Sequence, residues 1–185
     1  MRITGGEFGG RILHAPKDRN IRPTSDKVRQ AIFNILSSRD LLEGAVAIDA
    51  FCGTGALGIE ALSRGASFCT FIDNNRDSLD LCKKNLSLFP GIEERFHTMK
   101  SNALKPLLRQ DDSPKAGLVF LDPPYKKGLI LPALKALQAN GGLEKEYIAI
   151  MEMGKSEDLP DAGKTTITDK LYGDTRIIIQ TICYM

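Results

Sequence analysis

"AIDAFCGTGALGIEAL", residues 47–62, joins an apolar run without polar alternation, a glycine-rich turn, and a second apolar run with helical spacing. A strand without alternation is buried on both faces, the condition of a parallel sheet covered by helices on each side. The turn, Gly53-Thr54-Gly55-Ala56-Leu57-Gly58, is a full G-x-G-x-x-G. Glycines there permit a tight turn, close approach of backbone to a ligand, and close packing of helix on strand. Asp73 ends the next apolar run, 20 residues beyond Gly53, where a carboxylate suits ribose hydroxyls. In this strand–turn–helix setting a nucleoside cofactor is the favoured reading; the plainer alternative is a glycine turn flanked by ordinary surface acids.

The residues on either side extend the pattern. "ASFCTFID" reads as a second buried strand, "RDSLDLCKKNLSLF" as a helix with Leu79, Cys82 and Leu86 on one face, and "RFHTMKSNA" as a shorter strand. "AGLVFLD" and "YIAIMEM" are further strands on either side of a helix, "LILPALKALQANGG", and Gly65 suits the end of the helix that follows the glycine turn. The tail, "TTITDKLYGDTRIIIQTICYM", divides into two strands at Gly173-Asp174. Strands alternating with helices predict an α/β fold with a mostly parallel, seven-stranded sheet and a C-terminal antiparallel hairpin. Upstream, two Gly-Gly pairs flank "RIT" and "RIL", which predicts a small N-terminal β-hairpin followed by an extended loop. "RPTSDKVRQAIFNILSS" then turns helical, with Thr24 or Ser25 as cap and Val28, Ile32, Ile35 and Leu36 at helical spacing. The division expected is an N-terminal extension, 1–25, and an α/β domain, 26–185.

Composition bounds the function classes. With 185 residues, 42% hydrophobic and 26% charged, the chain is an ordinary globule of one core. No apolar run approaches the roughly 20 residues that span a bilayer, and "MRITGGEFGGR" lacks the apolar core of a signal peptide, so no membrane role and a cytoplasmic location are expected. Cys52, Cys69, Cys82 and Cys183 form no C-x-x-C pair; buried reduced thiols are expected, in particular at Cys52, Cys69 and Cys183, and no metal site. Charge is uneven. Residues 1–30 hold seven basic side chains (Arg2, Arg11, Lys17, Arg19, Arg22, Lys27, Arg29) against three acids (Glu7, Asp18, Asp26), a net +4, within a chain total of +2. That arm suggests a polyanionic partner, with a solvated surface as the alternative.

Asp49 chooses between cofactors. It lies four residues before the first glycine, at the carboxyl end of its strand. A carboxylate there repels a pyrophosphate seated on the helix N-terminus but attracts the cationic end of S-adenosylmethionine. "LVFLDPPYKKG", residues 118–128, then supplies a reason for such a donor. Two prolines after Asp122 bias Asp122 and Pro123 to extended backbone and aim the Pro123 carbonyl in a fixed direction. A carboxylate oxygen and that carbonyl are two rigid acceptors for the two hydrogens of an exocyclic amine, and Tyr125 offers a flat face for a base. The bland alternative is a strand that stops at an X-Pro breaker.

"DAFCGTGALGIEAL" and "DPPY" resemble the amino-methyltransferases that use S-adenosylmethionine. "RITGGEFGGRIL", "RPTSDKVRQAIFNIL" and "SNAL" extend the likeness over most of the chain, which resembles the bacterial 16S rRNA (guanine(966)-N(2))-methyltransferases. The resemblance implies a Rossmann-like class I methyltransferase fold and, as substrate, a guanine in a small-subunit rRNA hairpin loop, presented in an assembly particle to a monomer. The catalytic set it implies is Asp122, Pro123, Pro124 and Tyr125. The cofactor set is Asp49, Phe51, Gly53, Thr54, Gly55, Gly58, Asp73, Asn74, Asn102 and Ala103, with Asn102 near the adenine ring; the RNA set is Arg2, Arg11, Arg22, Thr24 and Arg29. Rival readings fit less well. A DNA adenine methyltransferase shares Asp-Pro-Pro-Tyr but needs a sizeable recognition region, and only residues 1–44 precede the glycine-loop strand. A protein glutamine methyltransferase would carry an N-terminal helical module and usually Asn in place of Asp122, and neither is seen. A dinucleotide oxidoreductase leaves the prolines unexplained, and a non-catalytic RNA-binding module has no use for the glycine loop.

Overall fold

The computed structural model describes residues 1–16, 25–105, 114–157 and 165–184. Helix α1 (Asp26–Ser37) opens at Ser25, whose hydroxyl accepts the Val28 N–H at 3.2 Å. It is followed by β1 (Val46–Ala50), α2 (Ala56–Ser63), β2 (Phe68–Asp73), α3 (Arg76–Leu86) and β3 (Phe96–Lys100). The second half comprises β4 (Ala116–Leu121), α4 (Ile130–Ala139), β5 (Leu143–Gly154), β6 (Thr165–Tyr172) and β7 (Thr175–Cys183). The seven strands form one sheet in the order β3-β2-β1-β4-β5-β7-β6, parallel except for β7, which runs antiparallel to both neighbours.

Two apolar layers account for the unbroken hydrophobic strands. Ala47, Leu118 and Phe120 face a core shared with α1, α2 and α3, whereas Ile48, Ala50, Val119 and Leu121 face a second core built on α4. Period-two alternation therefore distributes apolar residues to both sides of the sheet. The same alternation corrects one expectation: Ile182 takes the inward position at the end of β7, so Cys183 is exposed, its thiol donating to Glu146 at 3.2 Å, while Cys52, Cys69 and Cys82 are buried.

The N-terminal arm is less of a hairpin than its glycine pairs suggest. A single antiparallel bridge joins Arg2 to Ile12. Several of its other backbone donors turn to α2: the Glu7 N–H donates to the Ser63 carbonyl at 2.7 Å, the Phe8 N–H to the Ser63 hydroxyl at 2.9 Å, and the Thr4 N–H to Glu60 at 2.7 Å. Backbone donors satisfied by a helix are not available to a second strand. Ile3, Phe8 and Leu13 join the core of α1, α2 and α3, so the arm packs as part of the domain. Among the described residues, no helix is long and apolar enough to cross a membrane.

Candidate active site

The parallel pairing of β1 with β4 aligns Asp49 with Phe120 and Ala50 with Leu121, so the glycine loop and Asp122-Pro123 leave adjacent strands side by side. From β1 the chain crosses towards β2 and β3, from β4 towards β5; the site lies where the strand order reverses, the usual ligand crevice of an open α/β sheet.

The loop after β1 is shaped by backbone that side chains resist. Phe51 has φ +67°, unusual for a bulky residue, and Gly53 and Gly55 have φ +53° and +78°. A Cβ on Gly55 would stand 2.6 Å from the Cys82 sulfur, and one on Gly58 would stand 2.3 Å from the Phe71 ring. At Gly53 the reverse holds. A Cβ there would meet nothing nearer than the Phe51 carbonyl at 4.0 Å, which leaves an open cradle at the strand ends.

Acidic groups frame that cradle. Asp73, ending β2, accepts the Gly53 N–H at 3.0 Å with one oxygen and the Asn75 N–H at 2.8 Å with the other. A carboxylate has about four lone-pair sites, so Asp73 retains capacity for hydroxyl donors. Asn74 is exposed next to it. Asn102, just beyond β3, lies across from the end of β2: the Ser101 N–H donates to the Asp73 carbonyl, and the Asn102 side-chain oxygen accepts the Leu104 N–H at 2.9 Å. Ala103 is buried in the second core. Asp49 stands apart from these. It is 1% exposed and accepts the Gly58 N–H at 2.9 Å, and burial raises its pKa to about 8, with the Asp73 charge adding to the rise against the Gly58 hydrogen bond. An open glycine cradle, a ribose-compatible carboxylate and a buried acid suit a cationic nucleoside.

On the β4 side, Asp122 is half-buried, Pro123 is buried and Pro124 is exposed. Tyr125 is exposed, and its hydroxyl donates to Glu152 at 2.8 Å and lies 3.1 Å from the Thr175 hydroxyl. Burial, then the neighbouring Glu152 charge, pushes the phenol well above its ordinary pKa, so it stays neutral.

The arm brings only some of the expected RNA contacts together. Arg2 is exposed and lines an open groove with Thr4, Gly10, Lys27 and Gln30. Arg11 is exposed and braced, donating to the Leu88 carbonyl at 2.7 Å above the Phe89 ring. Arg29, expected to meet RNA, is not exposed. Its side chain is wholly buried, paired with Asp26 at 2.8 Å and Glu60 at 3.5 Å and bonded to the Arg2 carbonyl, because α1 turns this position towards α2. Arg22 and Thr24 lie outside the described residues.

The model of the family described as "Conserved hypothetical protein 95" matches residues 1–181. The chain belongs to this family. Ribosomal RNA small subunit methyltransferase D of Escherichia coli (strain K12) is 37% identical over 160 residues, covering 86% of this chain and 78% of that protein. The solved structure of Escherichia coli yhhF matches with a TM-score of 0.82 at 32% identity, over 100% of this chain and 99% of that one. A magnesium protoporphyrin IX methyltransferase from Synechocystis PCC 6803, solved with bound SAM, has a TM-score of 0.59 at 14% identity over 84% of this chain and 78% of its own, a likeness of fold alone. The family resemblance and the class I methyltransferase fold read from the sequence both hold.

Within this family fold, the residues that sequence reasoning missed are buried polar groups. Glu152 and Thr175 hold the Tyr125 hydroxyl. Asn85, fully buried on α3, donates to the Thr54 carbonyl at 2.9 Å and accepts the His14 N–H at 2.8 Å, tying the glycine loop to the arm. Glu60 joins arm, α1 and α2. The available signal was a polar residue inside an apolar run, as in "IAIMEM" and "GIEAL".

Proposed function

We propose that this chain transfers a methyl group from S-adenosylmethionine to the exocyclic N2 amine of a guanine in small-subunit ribosomal RNA, at the nucleotide numbered 966, during maturation of the small subunit. The coarser part of this reading, an rRNA methyltransferase that uses S-adenosylmethionine, has the family behind it. The choice of an exocyclic amine rests on one observation: β1 and β4 deliver the glycine loop and Asp122-Pro123 side by side, so a donor cradle stands next to a pair of amine acceptors; the guanine and its position follow from the resemblance to the 16S rRNA enzymes. Loop, acceptors and arm come from one chain, so a monomer suffices.

When bound, S-adenosylmethionine supplies an electrophilic methyl group. Gly53, Gly55 and Asp73 would hold its nucleoside, and Asp49 would face its cationic end. The chain's own contribution is to prepare the nucleophile. A guanine amine is weak because its lone pair is conjugated with the ring. Hydrogen bonds to Asp122 and the Pro123 carbonyl draw the nitrogen towards a tetrahedral shape and stabilise its developing positive charge. Tyr125 supports the base by stacking, and fixed alignment supplies much of the acceleration, a contribution that can reach ~7–11 kcal/mol. The spare amine proton passes to Asp122 or water. A loop base is already partly unstacked, which lowers the cost of drawing it into the site.

The test is methyl transfer from isotopically labelled S-adenosylmethionine to small-subunit rRNA, small-subunit particles, duplex DNA and protein, with the product nucleoside or amino acid identified by mass spectrometry. N2-methylguanosine from rRNA or particles is expected. Label in N6-methyladenine or methylglutamine instead would replace this reading with the corresponding rival.

A further inference from the structure

Tyr125 stands in a turn beyond β4, directly before Lys126, whose φ is +61°. A ring on such a turn is held by what its hydroxyl reaches. The phenol has one proton, given to Glu152, so its oxygen accepts the Thr175 hydroxyl. The result is a directed chain from Thr175 through Tyr125 to Glu152. Glu152 is 4% exposed and Thr175 8% exposed, whereas Tyr125 is 36% exposed. A tyrosine serving only the core buries its ring and lets its hydroxyl reach water. Here the hydroxyl reaches two buried partners while the residue as a whole is exposed. Below it, Pro123, Leu129, Ile130, Glu152 and Met153 line a cavity with Tyr125.

We propose that Glu152 and Thr175 are positioning residues for methyl transfer, fixing the Tyr125 ring as the stacking face beside the Pro123 carbonyl. This rests on the amine-methyltransferase reading above. It also gives the antiparallel end of the sheet a role: β7 pairs with β5 so that Thr175 lies opposite Gly154, two residues from Glu152. Strand β7 therefore completes an active site whose recognisable motifs all lie in the parallel half.

The test is a double-mutant cycle in the full chain, with turnover measured on whichever RNA the wild type methylates. Tyr125→Phe and Thr175→Val should each lower kcat/KM roughly tenfold, about the worth of one well-placed hydrogen bond. The double variant should be no worse than the poorer single one, because Thr175 acts through the hydroxyl that Phe lacks. Thr175→Ser should restore turnover, and Glu152→Gln, which keeps an acceptor, should retain more than Glu152→Ala. S-adenosylmethionine affinity by calorimetry should stay within about twofold throughout, since no donor contact changes. Losses that multiply in the double variant, or wild-type turnover in Thr175→Val, overturn the positioning role and leave the parent reading standing. A wild-type chain that methylates no RNA overturns both.

Discussion

Asp49 and Asp122 are aspartates at the carboxyl ends of neighbouring strands, and the fold gives them different surroundings. Asp122 is half-buried at the mouth of the site, next to Pro123. In the proposed mechanism it accepts a substrate hydrogen, so Asp122→Ala should lower kcat by at least ~10²-fold, as loss of a preorganised electrostatic group does, with cofactor affinity nearly intact. Calorimetry beside turnover checks this, and wild-type turnover in the variant sinks the two-acceptor mechanism. Asp49 is buried with its pKa raised to about 8 from 3.8. Between those values the folded protein keeps a proton that the unfolded chain has lost. Asp49 therefore stabilises the fold fully below pH 3.8, and this contribution is lost as pH rises through about 8. A cationic ligand favours the carboxylate, so S-adenosylmethionine binding near pH 7 should release a proton. Heats of binding should then differ between phosphate and Tris buffers for the wild type and agree for Asp49→Asn, which keeps an acceptor for the Gly58 N–H. Equal heats in the wild type would remove the charge argument for Asp49.

Helix α2 does two jobs with opposite faces. Its start forms the glycine loop against β2, where a Cβ on Gly58 would run into Phe71 and Cys69. Gly58→Ala should destabilise the fold by ~1–3 kcal/mol through overpacking, seen as a lower denaturation midpoint. The other face carries Glu60, which accepts Thr4 and Arg64 and pairs with wholly buried Arg29. Glu60→Ala removes one partner from a buried ionic cluster and should cost ~3–5 kcal/mol, and limited proteolysis should then cut residues 1–16 faster. A midpoint unchanged from wild type would mean that the cluster contributes little. The helix itself was legible in the sequence because glycines and apolar spacing state its geometry locally. The cluster was not: Arg29 read as a charge facing RNA, and only tertiary packing of α1 on α2 makes it a partner of Glu60. For the same reason the strands and the Asp122-Pro123-Pro124-Tyr125 turn were legible, while the anchor from Thr175 was not, since it depends on β7 inserting between β5 and β6.

In the proposed function the basic arm serves substrate recognition and not chemistry, and the fold reduces the charges available for it. Arg29 is withdrawn into the core, leaving Arg2 and Arg11 as the exposed arginines of the described arm. Arg2 borders the groove with Lys27 and Gln30, and Arg11 is exposed elsewhere on the arm, beside Leu88 and Phe89. Their present partners are weak competitors: Asp26 lies 3.7 Å from Arg2 at an exposed pair, and Arg11 holds a neutral carbonyl. The alternative is that Arg11 only braces Leu88 and Phe89. Replacing Arg2 and Arg11 together by Ala distinguishes these. If both meet phosphates, the slope of log K for RNA against log salt should flatten by about 1.4–1.8, two contacts at 0.7–0.9 each. Binding should weaken about equally for related sequences, because phosphate contacts position RNA without reading bases. S-adenosylmethionine affinity should not change, since neither side chain approaches the glycine cradle. A brace role predicts instead a lower melting temperature with the salt slope intact, and that outcome would move the RNA site away from the described arm.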